Sequence, residues 1–114
     1  MIKSWVMRKT SANQSHRVAA WCDAAHASAV HSGLPDTETD VVVLRTVADL
    51  ALSASFEIAR RLETDDEYRY MEGNRRAGYV KDCDEWRWLH TECKREASKL
   101  HDLELIAASA RKVA

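Results

Sequence analysis

The stretch that decides the fold is residues 82–112, DCDEWRWLHTECKREASKLHDLELIAASARK. Its apolar side chains recur at steps of three and four residues, which places them on one side of an α-helix. This stripe consists of Trp86, Leu89, Cys93, Ala97, Leu100, Leu103, Ala107 and Ala110. Asp82 and Glu85 are three residues apart, as in a capping box, so the pattern predicts that the helix begins at Asp82. We therefore expect a long helix over 82–112 whose stripe packs against the rest of the chain.

Trp88 does not belong to this stripe. It lies about 200° round the helix from Trp86, on the same side as Arg95 and Ile106. A tryptophan side chain buries about 150–250 Å², and tryptophan is enriched at binding hot spots, so we expect something to cover it. The cover is either the 65–80 segment or the N-terminus of this chain, or a partner surface. Trp88 and Arg95 are therefore candidate partner-binding residues.

Composition indicates the fold class. The chain has 114 residues, of which 46% are hydrophobic, and seventeen of these are alanines that bury little area. Three glycines and one proline leave few places for sharp turns. We expect one all-α domain covering 1–114, a small bundle of three long helices with a modest core.

The other long helices are predicted at about 15–32 and 36–63. The first is rich in alanine and is followed by Gly33, which suits the left-handed residue after a helix. The second follows Pro35 and is apolar nearly all round over 41–54, so we expect it to be the central buried element. Residues 1–14 form an arm that is either loosely ordered or held to the body by Trp5.

The segment 64–81 is ambiguous between a short helix and a hairpin with its turn at Gly73–Asn74. It contains a cluster of aromatic and basic residues, which we call the Tyr–Arg cluster. The cluster consists of Tyr68, Arg69, Tyr70, Arg75, Arg76, Tyr79 and Lys81. Aromatic rings stack on bases and guanidinium groups bind phosphates, which leaves nucleic acid open as a ligand. Because acidic residues are interleaved with the cluster, a charge-laced surface or a protein interface is the favoured interpretation. All members except Lys81 are candidate partner-binding residues.

The motifs of common enzyme and metal sites are missing from the sequence. Gly73 and Gly78 have the spacing of a phosphate loop, but Tyr79 and Val80 stand where Lys and Ser/Thr are required. The chain has no dinucleotide fingerprint, no nucleophile elbow and no Cys-x-x-Cys pair. We expect a protein without enzymatic activity, cofactor or metal.

Charge and hydropathy indicate the compartment. The formal net charge is −1, and no apolar run is long enough for a membrane span or a secretory signal. Three cysteines are an odd number, so we expect reduced, buried thiols rather than a disulfide framework. A cytoplasmic protein that does not enter membranes is predicted.

One resemblance implies a different function. Residues 47–62, VADLALSASFEIARRL, followed by a hairpin wing at 68–80 and a dimerising helix at 82–112, resemble the layout of small winged-helix repressors of the PadR type. This resemblance implies a DNA-binding transcriptional regulator. Leu52 stands where the motif has its turn glycine, and Arg61 falls on the inward side. An uninterrupted helix accounts for the same residues.

We predict a small non-enzymatic interaction or inhibitor protein that binds and occludes a protein partner. Many phage- or plasmid-encoded inhibitors of host systems are similar in size and style, and this is an analogy rather than a shared motif. Self-association as a homodimer or other homo-oligomer is expected, because two long helices have apolar residues on more than one side. The DNA-binding regulator is the alternative.

Overall fold

The computed structural model describes residues 2–64 and 73–113, and in this part of the chain every regular element is helical. The four helices are α1 (Ile2–Arg8), α2 (Ser15–His31), α3 (Asp36–Thr64) and α4 (Gly73–Val113). The all-α prediction is confirmed. Three members of the Tyr–Arg cluster, Tyr68, Arg69 and Tyr70, lie outside the described residues. None of the described helices is long and apolar enough to cross a membrane.

The end of α2 follows from local sequence. Gly33 has a φ of 77°, the left-handed conformation that a residue without Cβ adopts at low cost. The N–H of Gly33 donates to the carbonyl of Val30 at 2.9 Å, and the N–H of Leu34 donates to that of Ala29 at 3.1 Å. This pair of hydrogen bonds is a Schellman motif, which ends a helix at a glycine.

Helices α3 and α4 form the main antiparallel pair. The thiol of Cys83 donates to the carbonyl of Ser55 at 3.3 Å, and Nδ1 of His90 lies 2.8 Å from the carbonyl oxygen of Ala48. Cys83 and His90 are seven residues apart on α4, and their partners Ser55 and Ala48 are seven residues apart in the opposite direction on α3. The two helices are therefore antiparallel. α4 is the long axis of the molecule, which measures 64 × 24 × 23 Å.

The prediction that the last helix begins at Asp82 is wrong. α4 begins at Gly73, so the hairpin interpretation is also wrong over 73–80. Asp82 lies inside the helix and does not cap it; its Oδ1 accepts a hydrogen bond from Nε2 of Gln14 at 2.6 Å. Gly78 costs about 1 kcal/mol in the helix interior, whereas Gly73 is the first residue of α4. In the same part of α4, the Arg76 side chain donates to the Leu62 carbonyl near the end of α3 at 3.5 Å.

The helix-turn-helix interpretation of 47–62 is wrong as well. α3 is continuous from Asp36 to Thr64, with no turn at Leu52. Ser55 is fully buried, and its hydroxyl donates to the carbonyl of Leu52 at 2.7 Å, inside the helix. The part of the expected wing that the structure describes, 73–80, is helical.

The core lies between α3 and the facing sides of α1, α2 and α4. Its largest fully buried side chains include Val18, Leu44, Val47, Trp86 and Leu89. The N-terminal arm is part of this body: Val6 of α1 is fully buried, and Trp5 packs against the core. The arm is thus a packed helix with Trp5 on the body.

Candidate partner-binding face

All four tryptophans of the chain gather where α1 and α2 lie beside α4. Together with two basic residues they form a surface that we call the tryptophan face. It consists of Trp5, Lys9, Arg17, Trp21, Trp86 and Trp88. Tryptophan and arginine are enriched at binding hot spots, so this composition makes the face a candidate interface.

Trp88 is the exposed member, with 49% of its surface accessible. The ammonium group of Lys9 lies 5.7 Å from the centre of the Trp88 ring and 5.4 Å from that of Trp5. A cation held over an indole face contributes about 0.5–1 kcal/mol at an exposed site. The N-terminus thus covers part of Trp88, as one of the two interpretations expected, and half of the side chain stays accessible.

The inner half of the face is built by Arg17. Its guanidinium carbon lies 5.3 Å from the centre of Trp21 and 5.2 Å from that of Trp86. The two indole rings are 5.3 Å apart and tilted by 38°, within the usual range for aromatic pairs. Trp86 is buried, and its Nε1 has no hydrogen-bond acceptor among the described residues. Trp86 is therefore held by packing and by the cation above it.

Gln14 fixes the turn between α1 and α2 onto α4. Its side chain is 2% exposed, and its Nε2 donates to Oδ1 of Asp82 at 2.6 Å and to the Asp82 carbonyl at 3.3 Å. A hydrogen bond to a charged group contributes about 1.5–3 kcal/mol. Lys9 precedes this turn and Arg17 follows it, so both cations are close in sequence to the point where the turn is bonded to α4.

Arg95 lies on the Trp88 side of α4, seven residues further on, which is about 10.5 Å along the axis. It is exposed and pairs with Oε2 of Glu92 at 3.1 Å. An exposed ion pair of this kind contributes little to stability, about 0–1 kcal/mol, so Glu92 holds Arg95 only weakly. The structure therefore places Trp88 and Arg95 on one accessible surface.

The described members of the Tyr–Arg cluster lie elsewhere. Arg76 is twelve residues before Trp88, about 18 Å along the axis and on another side of α4. Its Nη1 donates to the carbonyl of Leu62 at 3.5 Å, where a positive charge complements the end of α3. Tyr79 is half-buried on the same part of α4, whereas Arg75 is exposed. These residues do not join the tryptophan face.

Sequence reasoning missed Lys9, Arg17 and Gln14. A signal for the two cations was present, because Trp5 and Lys9, and likewise Arg17 and Trp21, are four residues apart, the spacing of neighbours on a helix. Pairing of each cation with a second ring on α4 depends on the tertiary fold. Gln14 had no local signal, since its partner Asp82 is 68 residues away.

The cysteines are buried free thiols, as expected. Burial raises the pKa of Cys22 to about 11 and that of Cys93 to about 12, so both stay protonated at neutral pH and are poor nucleophiles. No group of three or more His, Cys, Asp or Glu side chains among residues 2–64 and 73–113 is arranged to hold a metal ion.

Comparison of this chain with protein-family models, with curated proteins and with solved structures found no match.

Proposed function

We propose that this protein is a non-enzymatic interaction protein that occludes a protein partner through the tryptophan face, and that it acts as a homo-oligomer. One observation supports the first part. Trp88 is 49% exposed, whereas Trp5 and Trp21 are half-buried and Trp86 is buried. A buried interface is where such a side chain contributes most to binding.

The charges of the face indicate the chemistry of the partner. Lys9, Arg17 and Arg95 lie on the accessible side of the face or close to it. Indole faces next to guanidinium and ammonium groups favour a surface that offers both carboxylates and apolar side chains. The partner proposed here is a protein with an acidic, partly apolar patch.

The test compares Trp88→Ala with a matched control, Phe56→Ala, in affinity capture from native lysate followed by mass measurement of the complex. Phe56 is an aromatic residue of α3 that is 57% exposed, so its loss removes a similar exposed ring. We expect a defined complex to be retained by Phe56→Ala and lost by Trp88→Ala, with thermal unfolding showing that both variants remain folded. If both variants capture the same amount of partner, the tryptophan face is not the binding surface. A Trp88→Ala chain that unfolds would show that the residue supports the core.

The alternative function, a DNA-binding regulator, is tested by a separate DNA-binding experiment. Salt-sensitive binding of duplex DNA that is lost in Arg75→Ala would favour it, because phosphate contacts impose a steep dependence on salt. Arg75 is suited to this test because it is exposed. Absence of a DNA complex at low salt excludes the regulator.

A further inference from the structure

Two cations of the tryptophan face have no carboxylate partner in the described part of the chain. The Lys9 ammonium and the Arg17 guanidinium each lie between 5.2 and 5.7 Å from the centres of two indole rings. The ion pairs in that part of the chain join other residues. Asp82, to which the turn between the two cations is bonded, accepts from Gln14 instead. We call Lys9 and Arg17 the ring-held cations.

The acidic residues on either side of Trp88 are paired with other basic residues of α4. Glu85 lies one turn before Trp88, and Glu92 lies one turn after it. Oε1 of Glu85 is 4.0 Å from Nζ of Lys81, and Oε2 of Glu92 is 3.1 Å from Nη1 of Arg95. These two carboxylates therefore do not neutralise the ring-held cations.

The rings order both cations before a partner arrives. Each cation contacts one tryptophan of its own segment and one tryptophan of α4. A lysine or arginine side chain loses much rotamer freedom when it is fixed, and a group that is already ordered loses less on binding. The ring-held cations are thus prepared for an anion in a way that a freely moving surface lysine is not.

We propose that Lys9 and Arg17 determine which partner the tryptophan face accepts, by binding carboxylates of an acidic protein segment while an apolar side chain of that segment packs on Trp88. This inference rests on the proposed function and names the residues that select the partner. Arg95 is not one of them, because Glu92 already supplies its carboxylate.

The chemistry of the face favours this ligand. Ammonium and guanidinium groups only donate hydrogen bonds, and carboxylate oxygens accept from both in charge-assisted bonds that are stronger than neutral ones. Trp88 is 49% exposed beside the Lys9 ammonium, so an apolar side chain next to the carboxylate gains contact with the ring. A basic segment is repelled by the same two charges.

The first experiment measures whether the face attracts anions, and it needs no partner. Quenching of tryptophan fluorescence by iodide is compared with quenching by neutral acrylamide at constant ionic strength, and Trp88→Phe gives the contribution of Trp88 by difference. We expect the ratio of the iodide to the acrylamide quenching constant at Trp88 to fall roughly twofold in Lys9→Gln, because the positive charge beside the ring concentrates anions there. The matched control is Lys94→Gln, which removes an exposed charge elsewhere on α4 and should keep the wild-type ratio. A ratio that Lys9→Gln leaves unchanged would overturn the role of Lys9.

The second experiment identifies the ligand with defined probes. Tryptophan fluorescence of the full chain is titrated with three short blocked peptides, in which leucine alternates with glutamate, with glutamine or with lysine. We expect only the glutamate peptide to bind, several-fold more weakly to Lys9→Gln and to Arg17→Gln, and with nearly wild-type affinity to Lys9→Arg, which keeps a cation that stacks on indole. Circular dichroism verifies that the variants keep their helix content.

The other outcomes separate this inference from the proposed function. Equal binding of the glutamine peptide, no binding of the glutamate peptide, or tighter binding of a single-stranded oligonucleotide would each overturn the carboxylate ligand. A protein complex captured from lysate that Lys9→Gln and Arg17→Gln leave intact would overturn the role of these two residues while the proposed function stands. If the glutamate peptide binds as expected but no complex is captured, the carboxylate site stands and the proposed occlusion of a partner fails.

Discussion

The two halves of the α4 stripe have the same pattern and different surroundings. From Trp86 to Ala97 the stripe lies against α2 and α3 and is almost completely buried, whereas Leu103 is half exposed one turn beyond Leu100. Nothing in the spacing of the residues marks this change. An apolar repeat therefore specifies a surface suited to burial, and the packing of the neighbouring helices decides which part of it the same chain buries.

The largest effect is expected in the covered half. Leu89 is fully buried, so Leu89→Ala removes apolar contacts and leaves a cavity, at a cost of about 2–5 kcal/mol in the free energy of unfolding. Urea denaturation followed by circular dichroism measures this change. A loss below about 1 kcal/mol would mean that α4 does not pack on the core as described.

An intermediate effect is expected at the turn that positions the tryptophan face. Gln14→Ala leaves the buried side of Asp82 without its donor, which should cost about 1–3 kcal/mol. The matched control is His16→Ala, an exposed position on the first turn of α2. Thermal unfolding of the two variants tests this, together with tryptophan fluorescence, because displacement of the turn moves Lys9 and Arg17 away from their rings. Equal melting temperatures would show that the Gln14–Asp82 bond has no net effect on stability.

The smallest effect is expected in the uncovered half. Leu103→Ala makes the same chemical change as Leu89→Ala, but at a site that is 53% exposed. At a concentration where the chain is monomeric we expect a loss within about 0.5 kcal/mol. Urea denaturation at low and high protein concentration checks this, since the proposed self-association would add stability by mass action at high concentration. A large loss in the monomer would show that the end of α4 is covered within one chain.

Much of the fold was predictable because it is local. The all-α class follows from the scarcity of glycine and proline and from the three- and four-residue spacing, and the end of α2 follows from Gly33. The start of α4 was placed at Asp82 because its spacing to Glu85 imitates a cap. A buried contact with Gln14, far away in the sequence, accounts for Asp82 instead.

The candidate site was predictable only in part. The angle of Trp88 from the stripe identified it as a residue in need of cover, and the structure places Arg95 on its side of α4. The Tyr–Arg cluster was grouped with it by composition, yet Arg76 donates to the end of α3, on another side of the helix. Composition shows which residues are present. It does not show which of them face a segment that is distant in the sequence.

The sequence by itself determined where apolar and polar side chains lie around each helix, because the helical period depends only on local backbone geometry. It also determined that α4 has more apolar surface than one stripe requires. Only the tertiary structure decided which part of that surface is buried, that Lys9 lies over the half-exposed ring of Trp88, and that Leu103 and Ile106 stay exposed. These outcomes depend on how far each neighbouring helix reaches along α4 and on which side of α4 it packs.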